Sequence, residues 1–131
     1  MPRKKLFSLT DLELDVMNIV WRLGHATVRQ IVEGLREQRP LAYTTVQTVL
    51  TILTQKGFVE YTQQGRAYLY RAIIQSEGVR RETVSAVVDK LFAGSSRSLV
   101  LHLIASDKFT IEEAQNLKEL LDQRLTEDTN A

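Results

Sequence analysis

The chain has 131 residues, a formal net charge of +1, 44% hydrophobic residues and no cysteine. That length holds one domain, or a small domain with an appendage. The absent thiol excludes disulfides and a thiol redox switch, and so small a net charge by itself points to no polyanionic partner.

Leu9-Thr10-Asp11-Leu12-Glu13 opens the first predicted helix, with Thr10 as N-cap and Glu13 three residues on as its capping-box partner. The helix runs to Leu23 and buries Leu12, Val16, Ile19, Val20 and Leu23. Trp21 lies at its edge, Gly24 ends it, and His25 reads as a polar turn residue. A second box, Thr27 with Gln30, opens a helix whose apolar stripe is Val28, Ile31, Val32 and Leu35, and Pro40 breaks the chain.

The stretch 41–57 is the most informative. Val46, Val49, Leu50 and Leu53 recur at helical spacing and form a buried face. The remainder is short and hydrogen-bonding: Thr44, Thr45, Gln47, Thr48, Thr51 and Thr54, with no charge from Tyr43 through Gln55. Threonine is a mediocre helix former, and a solvated face ordinarily carries Glu, Lys and Arg. An uncharged polar face suits a helix that slides between base edges and sugar-phosphate walls; the plainer alternative is a Thr-rich amphipathic helix. Gly57 stands where a left-handed cap belongs, after Lys56 at the negative end of the helix dipole.

Phe58–Thr62 reads as a strand, 63–66 as a turn and Ala67–Ala72 as a second strand, with Tyr68, Tyr70 and Ala72 on one face. Helix, helix, turn, helix and hairpin within roughly the first 72 residues is the plan of a winged helix. Arg66 at the hairpin tip either reaches a phosphate or the minor groove, or merely decorates a hairpin that closes the core. Residues 1–71 carry ten basic against six acidic side chains, +4, which leaves −3 for the remainder.

The acidic half reads as an assembly device. A helix from Glu77 to Phe92 carries Val84, Val87, Val88, Leu91 and Phe92; Gly94-Ser95-Ser96 breaks it; Leu99, Val100, Leu101, Leu103 and Ile104 follow in a short apolar helix. Thr110 and Glu113 form a third capping box before a helix bearing Ala114, Leu117, Leu120, Leu121 and Leu125. Three helices in roughly 50 residues make a poor independent core, so they are covered either by a second copy or by folding back on the first domain. The expected interface of a homodimer is Val84, Val88, Leu91, Leu99, Leu103, Ile104, Leu117 and Leu121. The expected class is therefore mainly α (α+β): a winged helix over 1–73, then a helical dimerisation domain over 74–131.

The sequences Leu9–Glu13, Val16-Met17, Val20-Trp21, Thr27-Val28, Ala42–Leu50, Gln55-Lys56-Gly57, Ser98–Leu101 and Thr110–Glu113 resemble the penicillinase-repressor (BlaI/MecI/CopY) family of bacterial winged-helix transcriptional repressors. The resemblance spans almost the whole chain. It implies a homodimer that binds double-stranded DNA at a palindromic operator through helix 43–56, controlling β-lactam-response or related stress genes. Tyr43, Thr44, Thr45, Gln47, Thr48 and Thr51 would then face DNA. Gln47 is the best base reader, because an amide can bond adenine bidentately. Arg66, with Arg3, Lys4 and Lys5 on an N-terminal arm, would add phosphate attraction.

Two positions depart from the family's pattern. Many members carry a basic residue where this chain has Ile52. In the penicillin-resistance branch a membrane-bound sensor protease leads to cleavage at an Asn-Phe bond, and the matching residues here are His102-Leu103. The copper-responsive branch has a cysteine-rich tail that this chain lacks.

Catalysis has no support: no Gly-rich phosphate loop is present, and His25 and His102 are far apart in sequence. No metal site and no cofactor are expected. The sequence has no signal peptide and no apolar run of membrane-spanning length, so a cytoplasmic protein without membrane insertion is expected. Rival readings are a winged-helix module that binds protein, and a ligand-sensing repressor without proteolytic induction.

Overall fold

The computed structural model describes residues 9–106 and 108–130; Arg3, Lys4 and Lys5 lie outside the described residues. The elements are α1 (Asp11–Leu23), β1 (His25–Ala26), α2 (Val28–Leu35), α3 (Tyr43–Gln55), β2 (Val59–Gln64), β3 (Ala67–Ala72), α4 (Ser76–Leu91), α5 (Ser96–Ala105) and α6 (Ile111–Asn130). Two compact units divide between Ala86 and Val87, inside α4.

Two of the expected capping boxes set the starts of α1 and α2, whereas α3 begins after Ala42 without a side-chain cap. Glu13 N–H donates to Thr10 Oγ1 at 3.2 Å and Thr10 N–H donates to Glu13 Oε1 at 2.8 Å. Thr27 and Gln30 repeat the exchange at 3.2 and 2.8 Å. At the end of α3, Gly57 has φ +82°. There Phe58 N–H reaches Leu53 O at 3.0 Å and Gly57 N–H reaches Thr54 O at 3.1 Å, the paired bonds of a Schellman cap. The cap turns the chain directly into the hairpin.

The core joins Val16, Met17, Ile19 and Val20 of α1 to Ile31 and Leu35 of α2. Val46, Val49, Leu50 and Leu53 of α3 complete it, with Phe58, Val59 and Tyr70 closing one side. Met17 is fully buried, whereas Leu12 is only partly buried and Leu23 is 45% exposed. The apolar stripe of α1 is therefore rotated toward 13/16/17/20, and Leu23 falls on the turn that Gly24 makes.

The sheet has the order β1-β3-β2 and is antiparallel throughout. His25, expected in a turn, instead pairs with Arg71, and Ala26 with Tyr70. The wing is longer and tighter than the sequence suggests. Pairing continues to Gln64 opposite Ala67, which leaves Gly65-Arg66 as the turn, with φ +62° at Gly65.

In the second unit Ser95 caps α5 through Ser98 N–H at 3.1 Å. Thr110 and Glu113 exchange bonds of 3.1 Å at the start of α6. Val88 is buried, but α5 buries no residue and α6 is exposed from Ile111 through Thr129. Of the other expected interface residues, Leu99 and Leu103 are half-buried, while Val84, Leu91, Ile104, Leu117 and Leu121 are exposed. Among the described residues no helix is long and apolar enough to cross a membrane.

Candidate nucleic-acid interface

α3 buries Val46, Val49, Leu50 and Leu53 and so turns Tyr43, Thr44, Gln47, Thr48 and Thr51 outward, with Thr45 half-buried. Three of the threonines are not free donors. Thr48 Oγ1 donates to Thr44 O at 3.0 Å, Thr51 Oγ1 to Gln47 O at 3.0 Å and Thr54 Oγ1 to Leu50 O at 2.8 Å. Each hydroxyl proton is spent on the carbonyl one turn back, so Thr48 and Thr51 offer methyls and oxygen lone pairs outward. The Gln47 amide makes no side-chain hydrogen bond among the described residues. It carries two unspent N–H donors and an acceptor on this face, near the exposed Tyr43 phenol.

Gln47 lines a groove of ≈ 600 Å³ together with Thr27, Val28 and Arg29 at the start of α2, Tyr43 of α3, and Gln63, Arg66, Ala67 and Tyr68 of the wing. The predicted residues Tyr43, Gln47 and Arg66 thus meet. Thr44, Thr45, Thr48 and Thr51 do not line the groove; they form the adjoining strip of α3.

Arg29, Thr27, Gln63 and Tyr68 belong to the groove although the sequence did not single them out as site residues. Arg29 was legible only as one more charge on a helix, because its partner surface, the wing, lies more than thirty residues downstream.

The wing carries a cluster of tyrosines, of which Tyr68 lines this groove. Tyr61 lies 4.5 Å from Tyr68 and 5.5 Å from Tyr70, ring centre to ring centre. Such pairs stiffen a two-stranded ribbon that would otherwise be marginal in water. Burial, and then the neighbouring phenols of Tyr61, Tyr68 and Tyr43, push the Tyr70 hydroxyl above its ordinary pKa, so it stays protonated. Gln63 Nε2 donates to Gly65 O at 3.3 Å and braces the turn that carries Arg66.

Ion pairing sorts the cations. Arg36 pairs with Glu33 at 2.6 Å, Arg39 with Asp15 at 3.1 Å and Lys56 with Glu13 at 2.8 Å; Arg71 pairs with Glu60 across the strands. Arg29 and Arg66 make no ion pair among the described residues. An unpaired guanidinium on each wall of a groove is a ready partner for a phosphate oxygen.

Residues 9–123 match the family model described as "Penicillinase repressor". The chain belongs to the penicillinase repressor family. It is 36% identical to "Transcriptional regulator BlaI" of Mycobacterium tuberculosis (strain CDC 1551 / Oshkosh) over 119 residues, covering 89% of this chain and 85% of that protein. It is 25% identical to "Methicillin resistance regulatory protein MecI" of Mammaliicoccus sciuri over 120 residues, 92% of this chain and 98% of the relative. Among solved structures, the DNA-binding domain of the repressor BlaI superposes with a TM-score of 0.50 at 26% identity, over 58% of this chain and 93% of that one. A mutant MarR from E. coli shares the fold at a TM-score of 0.51 and 18% identity, over 89% of this chain and 78% of that one. The family's fold class, a winged helix followed by helices, is therefore the fold of this chain.

Proposed function

We propose that the protein is a homodimeric repressor that reads a palindromic DNA operator with α3 and steadies itself on the backbone with its wing. The single observation that carries this reading is the groove that Gln47 lines together with Arg29 and Arg66, neither of which makes an ion pair among the described residues. Gln47 reads a base edge, the methyls of Thr48 and Thr51 lie against thymine methyls, and the arginines hold phosphates. Tyr43, Thr44 and Thr45 flank Gln47 on the same helix and complete the contact strip.

Dimerisation rests on the second unit. Ile111 is 81% exposed and Leu121 and Leu125 each 64% exposed in the single chain. A helix bearing that much unburied leucine is one half of a core, and a second copy supplies the other half. Two linked readers gain affinity by effective concentration, on the order of 10²–10⁴-fold.

Release follows from the same geometry. His102 and Leu103 lie inside α5, where no residue is buried, so opening that helix to an extended protease substrate costs little. Cleavage within 99–108 by a partner protease, a membrane-bound sensor protease being the candidate, would sever the dimer arm.

Electrophoretic titration of the purified protein against its own upstream DNA tests the proposal. Binding that weakens steeply with salt and survives excess random duplex supports it; salt-independent binding, or none, refutes it.

A further inference from the structure

We infer that, among the described residues, the protein grips the DNA backbone by charge from one side of its recognition helix, and that Arg29 is a second phosphate-holding residue opposite Arg66. The inference rests on the DNA-reading role proposed for α3 and adds where the charge contacts fall.

Among the described residues, the C-terminal half of α3 offers no free charge with which to hold a phosphate. The helix itself carries no charged residue from Tyr43 through Gln55, and its exposed positions there are Thr51, Ile52 and Gln55. The nearest cation, Lys56, is already bound to Glu13 at 2.8 Å, and freeing it would leave a carboxylate that is 6% exposed without its partner. At the other end of α3 the situation reverses. Arg29 and Arg66 stand on two walls of the groove that contains Tyr43 and Gln47, and neither has an acid to hold it among the described residues.

A guanidinium that is unpaired and exposed beside a polar groove gives up no ion pair when it binds, so no competing salt bridge offsets its gain on a phosphate. Arg36, Arg39 and Arg71 would each have to surrender one. The phosphate contacts therefore gather at the N-terminal end of α3, between the start of α2 and the wing. The C-terminal end lies over DNA with a neutral, partly apolar surface.

The test uses the full-length protein and a duplex selected by it from random sequence, with dissociation constants measured across a salt series. Arg29→Ala and Arg66→Ala should each lower the magnitude of the log–log salt slope by about 0.9, and the double variant by about 1.8. Arg29→Lys should restore the slope, which a merely structural role would not predict. Ile52→Lys should steepen it by about 0.9 by adding a grip where none exists. In the wild type, replacing single phosphates by neutral methylphosphonates should weaken binding on one flank of each half-site and not on the other.

An unchanged slope in Arg29→Ala, or sensitivity on both flanks, overturns the one-sided grip while the wild-type salt slope still upholds DNA reading. A flat wild-type slope overturns the DNA-reading role itself.

Discussion

Lys56 Nζ lies 2.8 Å from Glu13 Oε1, and the same oxygen accepts the Thr10 backbone N–H at 2.8 Å. One buried carboxylate therefore both caps α1 and anchors the residue that follows α3. α3 is held at its C-terminal end by the Schellman turn and by this ion pair, and its buried valines and leucines hold it along its length.

Stability should depend on that oxygen. Burial alone would raise the Glu13 pKa, but the Lys56 hydrogen bond, the Thr10 backbone bond and the Lys56 charge outweigh it and the pKa is lowered. A carboxylate with a lowered folded pKa contributes stability above its ordinary value of 4.5 and loses it as pH falls through the folded value. Lys56→Met should cost about 1–3 kcal/mol at neutral pH, because it leaves the buried charge with less compensation. It should also flatten the fall in melting temperature between about pH 5 and pH 3. Calorimetry of both proteins over that range checks this; identical acid profiles would remove Glu13 from the acid response.

Base reading should be separable from backbone attraction. Gln47→Ala should cost about 1–3 kcal/mol on the selected site and relax preference at one position per half-site, with the salt slope unchanged. Competition binding against single-base variants of the site measures both quantities. Equal weakening on every sequence would mean that Gln47 reads no base.

Much of this was legible in the sequence, and the failures have physical causes. Thr10/Glu13 and Thr27/Gln30 form the capping boxes their spacing predicts, because that exchange is local. Gly57 ends α3 as expected for the same reason. β1 escaped notice because two residues, His25 and Ala26, show no alternation; only their pairing with Arg71 and Tyr70 makes them a strand. Lys56 looked like a helix-dipole charge, since nothing local points to Glu13, forty-three residues away. The groove was half visible: Tyr43, Gln47 and Arg66 stand out by composition and turn position, whereas Arg29 acquires meaning only when α2 and the wing face each other.

Assembly should fail on a residue whose loss the single chain would not notice. Leu121 is 64% exposed in α6, so Leu121→Glu keeps a good helix former and removes little packing from the isolated chain. In a dimer it buries an unpaired carboxylate in each copy, at several kcal/mol apiece. Sedimentation should show a monomer with unchanged helix content and much weaker operator binding. A dimer of wild-type affinity would place the interface elsewhere.

Induction should leave a covalent trace. If a protease cuts within 99–108, repressor recovered from induced cells should appear by mass spectrometry as two fragments, with α6 on the smaller one. Intact protein that has left its operator would instead point to an effector ligand.

The most direct measurement is the sequence of the DNA the purified protein retains from a pool of random duplexes. Enrichment of an inverted repeat is predicted, its half-site centres about 34–36 Å or a multiple of that apart, with an adenine preference that disappears in Gln47→Ala. A retained pool as random as the input, or an enriched motif that Gln47→Ala leaves untouched, would contradict the assignment of α3 as the reading helix.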